Sequence, residues 1–185
     1  MGEPGTKELL SLDELEAAGS FRTGRKHVVS LLVENKPGVL TRITGLFARR
    51  GFNIKTLAVG PTDDEALSRI TLTLDGAVQS IDQVTKQLHK LINVLKIRDL
   101  EPENTLAREL ALFKISADGP SRTEVMQLCE IFRAKVVDVS RRTVVAEITG
   151  TQSKIDAFEQ LVRPFGLVEM ARTGEIAIAR GRAQT

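Results

Sequence analysis

The sequence has no tryptophan and no tyrosine, and its seven phenylalanines are scattered along 185 residues. A core must therefore be aliphatic, built on Leu, Ile and Val. A single cysteine, Cys129, excludes an intramolecular disulfide and points to a reducing compartment, the cytoplasm. Two histidines, His27 and His89, exclude a His-rich metal site. No apolar run is long enough to span a bilayer. The first twenty residues hold five acids and one base, which fits neither a secretory signal nor a transit peptide. A formal net charge of +2 gives no strong push toward nucleic acid or membrane.

What is present is 42% apolar residues in a chain long enough for two domains. Residues 1–26 read as a mobile arm in which Ser11 and Glu14 could cap one or two helical turns ended by Gly19. From His27 onward the hydrophobic period alternates between strand and helix. Residues 27–34, HVVSLLVE, read as a buried strand. Pro37 suits the first position of a helix carrying Leu40, Ile43 and Phe47 at i, i+3 and i+7, and Gly51 caps its end. Residues 53–59 and 67–74 read as strands, the second placing Ile70, Leu72 and Leu74 on one face and Arg69, Thr71 and Thr73 on the other. Ser80 and Gln83 form a capping box for a second helix, and VLKIRDL is a fourth strand. This β-α-β-β-α-β order is the ferredoxin-like plan.

Residues 101–105, EPENT, read as a linker. The plan then repeats over 106–181: a strand in ELALFKIS, a helix capped by Ser121 and Glu124, strands AKVVDVS and TVVAEIT, a helix SKIDAFEQLV closed by Pro164, and a last strand LVEMART. Residues 182–185 are a tail. The expectation is an α+β chain of two tandem ferredoxin-like βαββαβ domains, 27–100 and 106–181. The repeat is one of architecture, because ADGPSRTE stands in the second half where VENKPGVL stands in the first.

Little in the sequence suggests catalysis. Cys129 lies on the apolar stripe of its helix, where a packed core thiol is expected rather than a nucleophile. His27 and His89 have no triad-like partners and read as surface residues. Asp63, Asp64 and Glu65 lack the spacing of a calcium loop and read as solvated. No phosphate-binding loop or dinucleotide fingerprint is present.

The stretch VENKPGVLTRITGLFARRGFNI, 33–54, is different. A helix start offers unpaired N–H groups and partial positive charge, which suit a carboxylate. Gly38 lets a small ligand approach those amides. Asn35 and Asn53 each donate and accept, as a zwitterion requires. They can face one molecule if the second strand lies beside the exit of the first, or meets it from a second subunit. Pro-Gly is also a common turn and Gly51 a common cap, so spacing by itself leaves both readings open.

The stretch looks like the signature of the ACT domain, a ferredoxin-like module that binds amino acids, here 27–100; with LAVGPTDDEALSRITLTL, VTKQLHKLINVLKI, EIFRAKVVDVS and EITGTQSKIDAFEQLV the chain resembles the acetohydroxyacid (acetolactate) synthase small regulatory subunits from about His27 to Gly181. The resemblance implies a non-catalytic partner that activates a thiamine-diphosphate large subunit. It also implies sensitivity to valine or a related branched-chain amino acid, bound between two ACT domains. The implied effector positions are Asn35, Gly38, Val39, Leu40, Asn53 and Ile54. No cofactor is implied in this chain; thiamine diphosphate, magnesium and FAD belong to the catalytic partner. A homodimer is expected, since pairing sheet edges across a two-fold removes an exposed edge from each copy. The arm has no counterpart in the family.

Two other readings share the plan. An RNA-recognition module would need aromatic residues on its central strands, HVVSLLVE and LSRITLTL, which have none. A free-standing ACT-type amino-acid sensor would use the same pocket and differ in its partner, another enzyme or a transcription factor.

Overall fold

The computed structural model describes residues 26–74, 81–182 and 185. The expected arm, apart from Lys26, and the Ser80 cap lie outside the described residues. The first half runs β1 (His27–Glu34), α1 (Val39–Arg50), β2 (Ile54–Pro61), β3 (Leu67–Leu74), α2 (Ile81–Leu88) and β4 (Val94–Leu100). Its antiparallel sheet has the order β2-β3-β1-β4, so β2 and β4 are edges. Val29, Leu31 and Val33 of β1, Ile70 and Leu72 of β3, and Ile43 and Phe47 of α1 form an aliphatic core closed by one edge-to-face pair, Phe47 with Phe52. Leu40 departs from the expected inner stripe: it is exposed, and Val39, Ile43, Leu46 and Phe47 form the buried face.

The second half runs β5 (Thr105–Ser116), α3 (Ser121–Ile131), β6 (Lys135–Val139), β7 (Thr143–Gly150), α4 (Gln152–Gly166), β8 (Leu167–Arg172) and β9 (Ile176–Ala179). The order β6-β7-β5-β8 repeats the first sheet. Phe158 of α4 anchors this core, edge-on to Phe113 and Phe132 at 5.2 and 5.4 Å between centroids. Cys129 is buried there as expected, and burial pushes its thiol pKa up.

Several local expectations are corrected. Ser121 does not cap α3. It is the first helical residue, and its hydroxyl donates to the Asp118 carbonyl at 2.7 Å. Pro164 does not close α4, which runs on to Gly166; in the last turn a proline removes one backbone bond at the frayed end. His27 is not a free surface residue: it is half-buried with Nδ1 3.6 Å from Asp99. LVEMART is not the last strand, because β9 follows it. Pro102–Asn104 form a 3₁₀ turn, and Thr105 already begins β5.

The β9 strand pairs with the first residues of β5, Arg108 opposite Ile176 and Thr105 opposite Ala179. This ribbon also contacts β1 and β4. It gives the first sheet a second covered face: Ser30, Thr71 and Thr73 are as buried as the core. Lys26 adds a tie between the halves, ion-paired with Glu175 and donating to the Gln152 side chain at 2.6 Å.

Candidate effector site

β1 ends at Glu34 and the chain turns back into α1. The Lys36 carbonyl accepts the Val39 N–H at 3.3 Å, and Gly38 lies at φ 83°, ψ −9°. Those are the angles of the third residue of a type II turn, with Pro37 before it. So α1 begins at Val39, and the expectation of Pro37 as the first helical residue is corrected: the left-handed Gly38 interrupts the helical path. A Cβ at Gly38 would meet nothing within 4 Å, so it is the backbone angle, not space, that calls for glycine.

The start of α1 has no side-chain cap and no acid in its first turn. Its surroundings are cationic. Arg42 donates to Asn93 Oδ1 at 2.9 Å, and Lys36 Nζ lies 3.1 Å from Glu34 Oε1. Glu34 also accepts from Asn93 Nδ2. The Asn93 and Lys36 contacts hold its pKa below the usual carboxylate range. Asn35 is partly committed: its N–H bonds to the Ala66 carbonyl at 2.7 Å and its Nδ2 to the Glu65 carbonyl at 3.0 Å, tying the β1 exit to the 62–66 loop. The residue is exposed, and among the described residues no hydrogen bond ends on its Oδ1.

Asn35, Gly38, Val39 and Leu40 gather at this end of the sheet. Asn53 and Ile54 do not. Ile54 pairs with Leu74, which pairs with His27, the opposite end of β1. Along the strands that is roughly 23 Å away. Within one chain the second strand does not start beside the exit of the first, so only a second copy could bring the six positions together. Arg42, Lys36 and Asn93 are the neighbours that sequence reasoning missed. Arg42 could have been found as a base in a helical first turn that lacks acid; Asn93 is joined only by tertiary folding.

Residues 29–96 match the AHAS small subunit-like ACT domain, and residues 108–181 match the small subunit of acetolactate synthase. The probable acetolactate synthase small subunit of Methanothermobacter thermautotrophicus is 49% identical over 84% of this chain and 93% of its own length. That of Mycolicibacterium smegmatis is 46% identical over 84% and 91%. The chain belongs to the acetolactate synthase small subunit family. A solved acetolactate synthase small subunit from Thermotoga maritima is 44% identical and superposes with a TM-score of 0.79 over 86% of this chain and 99% of that one.

In this member of the acetolactate synthase small subunit family, a second opening lies between the halves. A cleft of about 800 Å³ is bounded by Lys55 and Thr56 of β2 and by Glu109, Asp156, Glu159 and Arg172. Arg172 binds both oxygens of Glu109 at 2.9 and 2.8 Å and Asp156 at 2.6 Å. Those carboxylates push the guanidinium pKa up. Among the described residues no cluster of three His, Cys, Asp or Glu could hold a metal ion, and no helix is long and apolar enough to cross a membrane.

Proposed function

We propose that this chain is the regulatory subunit of an acetohydroxyacid synthase. It activates a thiamine-diphosphate catalytic large subunit and makes it subject to feedback inhibition by valine or another branched-chain amino acid. In this reading acetolactate synthesis, and the thiamine diphosphate, magnesium and FAD that serve it, reside in the cytoplasmic large subunit. The observation that supports the effector site is the uncapped start of α1 behind a left-handed Gly38, flanked by Lys36 and Arg42. The amino acid's carboxylate rests on the α1 amides, its ammonium faces Glu34 and Asn35 Oδ1, and its aliphatic side chain lies on Leu40.

A homodimer completes the site. β2 is an edge strand, and its last residue, Pro61, is level with Val33 at the β1 exit. Antiparallel pairing of two β2 edges across a two-fold axis sets the start of one β2 beside the end of the other. That carries Asn53 and Ile54 of the partner subunit to the Gly38 end of the first. The test is reconstitution with the matching large subunit. Addition of this chain is expected to raise acetolactate formation, and valine, leucine or isoleucine to lower it again. Unchanged rates on addition of the chain would refute the reading.

A further inference from the structure

A groove of about 390 Å³ opens where the outer face of β2 meets the β5–β9 ribbon. Ala58 and Gly60 form one wall; Leu106, Ile176 and Ile178 form the other. These three aliphatic side chains are 36%, 62% and 52% exposed, a large apolar strip to leave in water. Leu106 and Ile178 stand opposite each other on the ribbon, so the strip is continuous. Two guanidinium groups, Arg69 and Arg108, also line the groove. Arg69 donates to the Ser30 hydroxyl and Arg108 to the Ala107 carbonyl. Neither meets a carboxylate among the described residues.

Aliphatic walls beside two cations without counter-ions fit a short segment that is both apolar and acidic. The chain carries such a segment outside the described residues. Residues 8–16, ELLSLDELE, hold four leucines, four acids and no base. The segment ends ten residues before Lys26. Lys26 is ion-paired with Glu175, the residue immediately before β9, whose Ile176 and Ile178 line the groove. Ten residues reach up to about 33 Å, more than the roughly 13 Å length of β9. The family matches begin at residue 29, so this contact would be separate from the shared architecture.

We propose that residues 8–16 dock in this groove, with leucines against Leu106, Ile176 and Ile178 and carboxylates toward Arg69 and Arg108. The absence of tryptophan and tyrosine supplies the test, because Leu12→Trp is a fluorophore without background. In the folded full-length chain its emission is expected to lie to the blue of the same variant unfolded in guanidinium, with acrylamide quenching reduced several-fold. Adding Ile178→Asp, or Arg108→Glu, should move both readings toward the unfolded values while circular dichroism stays native. Both positions are exposed, so neither change threatens the fold. Water-like emission from Leu12→Trp in the folded chain overturns the proposal. So does blue emission indifferent to both groove substitutions. A fall in native mass on Ile178→Asp in light scattering would make the groove an interface between copies, and overturns it too.

Discussion

Thr56 and Thr73 stand opposite each other on β2 and β3, and each hydroxyl oxygen is buried without a hydrogen-bond partner among the described residues. Both lie on the face that the ribbon covers; Thr73 is 1% exposed. A buried hydroxyl without a partner costs about 1–3 kcal/mol. Thr73→Val keeps the shape and removes the orphan, so it should raise unfolding free energy by about 1 kcal/mol in urea titration, with the m-value unchanged. A loss of stability would show that the hydroxyl is satisfied in solution. Close approach explains another residue nearby. Gly174 sits at φ 74° with the position of a Cβ 2.9 Å from Thr56 Cβ, so the loop before β9 meets β2 only because glycine is there.

At the scale of elements, Arg172 joins three of them. It lies on β8, Glu109 on β5 and Asp156 on α4. Glu109 is 3% exposed, so Arg172→Met strands a buried carboxylate. We expect a loss of about 3 kcal/mol in chemical unfolding, with much of it restored when Glu109→Gln is added. Equal loss in the single and double variants would mean that packing of the arginine stem, not its charge, matters. The elements themselves were largely legible. β3 shows strict alternation, and Cys129 falls on a helical stripe beside Val125, so period alone located both. β9 was not legible. Its four residues, IAIA, lie inside the expected second domain but are too few to show a period, and their partner, Thr105–Arg108, runs from the end of the expected linker to just before the strand read in ELALFKIS. Leu40 fitted the helical period and yet faces out, because the buried stripe is centred on Val39, Ile43, Leu46 and Phe47, at i, i+4, i+7 and i+8, and Leu40 lies at its flank. The type II turn was readable from Pro-Gly itself; the 23 Å separation of Asn35 from Asn53 was not, since it depends on strand register.

For the whole molecule, the ribbon makes the first half depend on the second. A fragment of residues 27–100 loses β9 and bares Ser30, Thr71, Thr73 and Leu100. It should melt at a lower temperature than the intact chain; an equal melting temperature would mean that the two sheets are energetically separate. The intact chain should have at least a dimer's mass in light scattering at micromolar concentration, since the six proposed effector positions cannot meet within one copy. A monomeric mass would contradict that assembly. The central claim, that an amino acid's carboxylate sits on the start of α1, is tested most directly at Gly38. Because Gly38 is left-handed, any side chain there carries backbone strain of about 1–2 kcal/mol. Gly38→Ala therefore serves as the control for Gly38→Asp. Only the aspartate adds a like charge beside the ligand, worth about 4 kcal/mol at 4 Å in a partly buried site and about a thousandfold in affinity. The measurement is a valine titration of the holoenzyme reconstituted with each variant. Inhibition is expected to be retained in Gly38→Ala and abolished in Gly38→Asp, with activation by both. Matching inhibition curves for the two variants would contradict the claim and place the effector elsewhere.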